Sequence, residues 1–246
     1  MKWMAFIFIG SLFFFSCSYL PEEKVESMNL KEEKGDYNVY FSGITIPENA
    51  FLMVPGGLVD PHVYSCWIDR LVDLDTTFSV ILLKYPSNLA ITNIGKVMKV
   101  TESIPRVSRW AIGGHSLGGV VAASAVNKNR DYFDGLVMLA SWPTASSDLS
   151  DWGKPVISIY ASQDQLATKE EVFSYKLFLP QGDTITDTAD ILAGSVQTYY
   201  VEIAGGNHSG FGCYGLQEGD GEALISPQEQ QDELIEYLHA YLSSIW

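Results

Sequence analysis

Short apolar runs recur along the chain at 50–54 (AFLMV), 78–83 (FSVILL), 109–113 (RWAIG), 135–140 (GLVMLA), 155–160 (PVISIY) and 197–203 (QTYYVEI). They are short, largely apolar and bounded by Gly, Pro or Asp, as strands buried on both faces are. Residues 37–44 (YNVYFSGI) alternate instead, which predicts a strand nearer an edge. Helical patterns fall between the runs, near 62–73, 92–103, 117–129, 168–178 and 227–244. In the last, Leu234, Ile235, Leu238, Tyr241, Leu242 and Ile245 recur at helical spacing, and Pro227 is a natural first residue. This alternation predicts one α/β domain over 37–246, with a mostly parallel sheet and helices on both faces. The pattern shows no repeat and no second domain.

Open α/β sheets bind ligands beyond the carboxyl ends of their strands. Chemically useful residues collect there. The run at 50–54 leads into Pro55-Gly56-Gly57-Leu58, and 78–83 into Lys84-Tyr85-Pro86. The run at 109–113 leads into Gly114-His115-Ser116-Leu117-Gly118, and 135–140 into Ser141-Trp142-Pro143. Asp164 follows 155–160, and Gly205-Gly206-Asn207-His208 follows 197–203. The segment around Ser116 fits G-x-S-x-G, with an apolar run before it and small helical residues after it. A strand turning that sharply into a helix strains the serine backbone and needs glycines two residues away on either side.

A serine hydroxyl needs an adjacent base, and the base needs an orienting acid. His208, in a Gly-rich loop after the last strand, is the candidate base. His115 lies inside the elbow with its ring directed away from Ser116, His239 belongs to the terminal helix, and His62 precedes the serine. Asp164 is the candidate acid; Asp183, Asp187 and Asp190 lie in a polar stretch and read as solvated. The order Ser116, Asp164, His208 is that of the α/β-hydrolase fold. The oxyanion hole then combines the Leu117 N–H with an N–H from the Gly56–Leu58 loop, best placed at Gly57.

Beyond the fold, VPGGLVDPHVY, KYPSNLAI, GGHSLGGVVAA, DGLVMLAS, SIYASQDQLAT and GGNHSGFGCYGLQEGDGEALIS occur in this order. Together they resemble the compact bacterial alpha/beta hydrolase fold-5 family over roughly residues 38–242. The resemblance implies a serine hydrolase with Ser116, Asp164 and His208 as its triad, and supplies no physiological substrate. The 14 residues at 141–154 are too few for the lid domain found in many such folds. Tyr85, Trp142 and Phe211, with Tyr214, are candidates to line an open pocket, and Lys84 is a candidate substrate contact. Asp220 and Glu222 read either as a cation site or as part of a Gly-rich surface turn.

The formal net charge is −15, and no Lys or Arg follows Lys176. This excludes a nucleic-acid partner, because phosphate binding needs the opposite sign. Nothing in the pattern calls for a metal or cofactor. Lys2 followed by the apolar stretch 3–15 and Ser16-Cys17 resembles a lipoprotein signal peptide (1–16) with Cys17 as the lipidation site. A plain secretory signal and an uncleaved anchor are the alternatives. Residues 17–36 are polar and read as a linker. Cys66 and Cys213 are either a disulfide, as a non-cytoplasmic compartment permits, or two separate thiols. The expectation is therefore a membrane-anchored serine esterase acting on a small ester. A catalytically silent binding protein on the same fold, and an amidase or peptidase using the same triad, are the alternatives.

Overall fold

The computed structural model describes residues 18–21 and 27–246. The expected signal segment and Cys17 lie outside the described residues. The strands are β1 (Leu30–Glu33), β2 (Tyr37–Tyr40), β3 (Asn49–Val54), β4 (Phe78–Leu83), β5 (Arg109–His115), β6 (Gly135–Leu139), β7 (Val156–Ala161), β8 (Gly182–Ile185) and β9 (Thr198–Ile203). They form one sheet in the order β1-β2-β4-β3-β5-β6-β7-β9-β8. The pairs β1/β2 and β2/β4 are antiparallel and the rest are parallel.

The helices are α1 (Ser65–Leu74), α2 (Lys96–Glu102), α3 (Leu117–Lys128), α4 (Lys169–Ser174), α5 (Thr188–Leu192) and α6 (Pro227–Ile245). Alternate residues of a strand feed opposite layers. Phe51 and Met53 of β3 join Trp67 of α1 and Leu238 of α6 in one core. Ala50, Leu52 and Val54 join Val97 of α2 and Val121 of α3 in the other. The α6 start is fixed as its sequence suggests. Pro227 is the first residue, and Ser226 and Glu229 form a capping box. Further along α6, the Tyr241 hydroxyl takes the Leu136 N–H (3.0 Å) and donates to the Pro155 carbonyl (2.6 Å), tying the helix to the sheet.

Two edges differ from the expected boundaries. Within the expected linker, the described residues 27–36 join the domain: β1 adds to the sheet, and Asn29 is buried, its amide donating to the Asp69 carbonyl and Asp73. At the other edge the polar stretch holding Asp183 forms β8, while Asp187 caps α5 by accepting the Ala189 N–H. Both edge strands are short and charged (LKEE, GDTI). Charge on an edge blocks strand addition from another chain and also gives the segment the look of a loop.

Candidate active site

Parallel register brings the strand ends to one rim. Val54 lies opposite Gly114, His115 opposite Leu139, and Ala161 opposite Ile203. Ser116 follows β5 with φ 52° and ψ −124°, a strained conformation for a residue with a Cβ. Neighbouring hydrogen bonds hold it there. Its N–H donates to the Leu139 carbonyl (2.9 Å), and its carbonyl accepts the Ser141 hydroxyl (2.7 Å) and the Gly119 N–H (3.0 Å). The flanking glycines are steric necessities. A Cβ on Gly114 would overlap the Gly118 backbone, and one on Gly118 would overlap the Val54 and Pro55 carbonyls.

Leu117 opens α3, so its N–H has no acceptor within the helix. In the facing loop, the Gly56 N–H donates to the Tyr64 hydroxyl (2.9 Å) and the Leu58 N–H to the Asn88 carbonyl (2.8 Å). Among the described residues the Gly57 N–H has no partner, which leaves it free to bind an oxyanion beside Leu117. A Cβ on Gly57 would lie 3.0 Å from Leu117 Cδ2, so the two residues face each other.

His208 and Asp164 are both buried. The His208 Nδ1–H donates to Asp164 Oδ2 at 2.8 Å, which leaves Nε2 as the ring nitrogen available for a serine proton. Asp164 Oδ1 accepts the Leu166 and Ala167 N–H groups at 2.8 and 2.7 Å, so the carboxylate is fully partnered and cannot swing. Ser116, Leu166 and Ala167 border one open cavity of about 250 Å³, together with Leu117, Val120 and Trp142. Among the described residues no hydrogen bond joins Ser116 Oγ to the His208 ring. Such links commonly tighten only around bound substrate. Depressions of about 480 and 500 Å³ lie elsewhere on the surface; the first is lined by His239 and Ser243 of α6 and the second by Lys154 and Tyr199, and neither includes Ser116, Asp164 or His208.

The other three histidines are placed differently. His115 is fully buried, its Nδ1 taking a hydrogen bond from the Tyr64 hydroxyl at 3.0 Å while that hydroxyl holds Gly56. Burial, and next the neighbouring His208, hold its pKa well below the ordinary value, so it stays neutral. Its ring centroid is 4.5 Å from that of His208. Burial also raises the Tyr64 pKa, which keeps its hydroxyl a donor. His62 pairs with Asp60 at 2.9 Å, and the partly exposed His239 lies 3.5 Å from Asp75.

Of the three expected lining residues, Trp142 borders the cavity and stacks on Tyr175 at 5.5 Å. Tyr85 and Phe211 do not. Phe211 is fully buried, packs against His115, and its carbonyl accepts the Trp67 indole N–H. Tyr85 sits in the α2/α3 core under the Lys96 ammonium, 5.0 Å from its ring. Tyr214 packs on Tyr19, and Lys84 pairs with Glu33.

Residues that position His208 escaped the sequence reading. The Asp220 carboxylate accepts the His208 N–H (3.2 Å), the Ser209 N–H (2.8 Å), the Ser209 hydroxyl (2.7 Å) and the Gly221 N–H (2.8 Å). Its oxygens are committed to protein donors rather than arranged around a cation. Buried Gln230 of α6 accepts the Asn207 N–H (3.0 Å) and donates to the Asn207 carbonyl (2.8 Å), pairing both main-chain groups of that residue as a neighbouring strand would. Cys66 and Cys213 form a disulfide, tying the loop after His208 to the start of α1. The signals were faint: the Gly-Asp-Gly at 219–221, and two adjacent glutamines on the inner face of α6.

A nine-stranded, mostly parallel sheet with a strained serine at a strand–helix elbow defines an α/β hydrolase. The family model "Alpha/beta hydrolase family" matches residues 50–232, and the chain belongs to that family. No curated protein matches the sequence. Several solved structures share the fold. A monoacylglycerol lipase from Paleococcus ferrophilus has TM-score 0.58 and 14% identity, over 83% of this chain and 98% of that one. Est1E from Butyrivibrio proteoclasticus has TM-score 0.56 and 13% identity, over 86% and 97%. A thermophilic esterase from Thermogutta terrifontis has TM-score 0.56 and 12% identity, over 88% and 97%.

Proposed function

We propose that this hydrolase cleaves carboxylic esters by a serine mechanism. In this reading Ser116 Oγ attacks the ester carbonyl as His208 Nε2 takes its proton. Asp164 fixes the ring and stabilises the imidazolium. The Leu117 and Gly57 N–H groups hold the oxyanion of the tetrahedral intermediate. His208 then protonates the leaving alcohol, and water, activated by the same ring, releases the acid from the acyl-enzyme. The observation that carries the reading is the buried His208–Asp164 pair, with Ser116 and the Asp164 loop on one cavity. The described lipase and esterases on the same fold agree with an ester substrate. At about 250 Å³ the cavity is smaller than the ~300–1,000 Å³ of drug-sized sites, which favours a small acyl group at the scissile bond.

Anchoring through lipid on Cys17, on the non-cytoplasmic side of a bacterial membrane, is part of the same proposal. The 3–15 apolar stretch before Ser16-Cys17 supports it, and the Cys66–Cys213 bond fits an oxidising compartment. The test is a panel of p-nitrophenyl esters of graded chain length, with fluorophosphonate labelling. Ser116→Ala should lose labelling and lower kcat by about 10³-fold or more at unchanged stability. His208→Ala should lose a similar factor, whereas His62→Ala and His239→Ala should keep most activity. A Ser116→Ala protein that still turns over esters would refute the assignment.

A further inference from the structure

The segment that follows the expected anchor is built into the rim of the active site. Tyr19 forms a parallel bridge with Val59. Its N–H donates to the Leu58 carbonyl (2.8 Å) and its carbonyl accepts the Asp60 N–H (2.9 Å). Its ring packs on Tyr214, with centroids 5.5 Å apart. Val59 lies two residues after Gly57, the oxyanion donor of the reading above, and Tyr214 lies six after His208. Position 17 is two residues from Tyr19, and two residues of chain span at most about 7 Å. The apolar 3–15 stretch ends four residues before Tyr19, so an uncleaved anchor would also arrive there. On the anchoring reading above, the attachment point falls within that chain length of the Tyr19–Val59 bridge instead of at the end of a long tether.

Apolar side chains sit on the same two segments. Leu20 is 60% exposed, and Leu216 and Leu224, on the loop that carries Tyr214, are 65% and 75% exposed. Isolated exposed leucines are ordinary. Here they lie on the two segments that meet at the Tyr19–Tyr214 contact. A net charge of −15 would repel an anionic surface, so a zwitterionic bilayer is the fitting occupant.

We infer that the catalytic face lies against the bilayer and that the substrate is an ester whose acyl chain resides in it. The inference rests on the ester hydrolase and anchoring reading above. It also accounts for the small cavity. A chain that stays in the membrane needs no tunnel in the protein, only room for the few carbons next to the carbonyl.

The test uses the lipidated full chain in phosphatidylcholine vesicles. A companion variant carries about 15 Gly/Ser residues inserted between Ser18 and Tyr19, which keeps the Tyr19 bridge and frees the anchor from the rim. Both proteins should partition with vesicles and hydrolyse soluble p-nitrophenyl acetate equally. The insertion should lower hydrolysis of diolein in the same vesicles by at least about threefold, because the catalytic face is no longer held to the surface. Vesicle binding should also slow amide exchange at 57–60 and 214–224 in the parent protein. Equal diolein rates, with exchange slowed on another face such as 153–155 and 194–197, would overturn the orientation. The failures are separable. Inert p-nitrophenyl acetate refutes the esterase reading, while the exchange measurement still reads orientation. Unmodified Cys17 in a soluble parent protein refutes anchoring, and with it the orientation.

Discussion

Replacing Asp220 should damage catalysis without altering a residue of the proposed triad. Its carboxylate takes three donors from the turn that aims His208: the His208 N–H, the Ser209 N–H and the Ser209 hydroxyl. A hydrogen bond to a charged group contributes about 1.5–3 kcal/mol when buried, and about 1 kcal/mol where solvent competes. Asp220 is half-buried, so Asp220→Ala should cost about 3 kcal/mol of stability from three bonds. Asp220→Asn keeps one carbonyl acceptor and loses the charge, and should cost about half of that. The ring is still held by Asp164 and the loop by Gln230, so His208 should tilt and stay in the site. A misplacement of about 1 Å costs on the order of 100-fold. We therefore expect kcat/KM to fall about 10- to 100-fold in Asp220→Ala, mostly in kcat. The assay is p-nitrophenyl butyrate hydrolysis alongside urea unfolding, with fluorophosphonate labelling rates as an independent reading of the serine. An Asp220→Ala protein that loses the stability yet keeps wild-type kcat would refute the positioning argument. Asp220 would then hold the loop without aiming the base.

Removing the disulfide by Cys66→Ser with Cys213→Ser should destabilise the protein by up to about 5 kcal/mol, the chain-entropy value for a separation of 147 residues; urea unfolding of the variant checks this. His115 titrates well below its ordinary value when folded and near 6.5 when unfolded, so stability is full above pH 6.5 and falls as pH drops below it. The expected slope is about 1.4 kcal/mol per pH unit, and His115→Gln should flatten it. His62, held above its ordinary value by Asp60, is charged in both states there and adds no slope; urea midpoints from pH 6.5 to 5 test this. Gly118→Ala should abolish soluble expression or activity, because its Cβ would overlap the Val54 and Pro55 carbonyls, whereas Gly153→Ala, which meets open space, should be neutral in both assays.

The interior of the fold was legible because its signal is local and repeated. The fully buried strands read as largely apolar runs, and the start of α6 as Ser226-Pro227 with Glu229 three residues after the cap. The edges were not legible. Charged β1 and β8 carry the composition of a linker, and pairing with β2 and β9 overrides it. Among the expected lining residues the aromatic character of Tyr85 and Phe211 suggested a pocket. Both are buried at the right rim but face into the cores, since a ring next to a site serves equally well as support.

The candidate site divides along the same line. Ser116, Asp164 and His208 stand out because their chemistry is carried by side chains at strand ends, where the alternation of strand and helix already points. The residues that aim them act on main-chain groups: Tyr64 on the Gly56 N–H, Gln230 on both polar atoms of Asn207, Asp220 on the His208 and Ser209 N–H groups. Every residue but proline offers a main-chain N–H, so a bond to one leaves no pattern in the sequence. Tyr19 has the same character, since its bridge to Val59 uses main chain on both sides. Its neighbours in sequence suggest a tether, and its hydrogen bonds make it part of the rim.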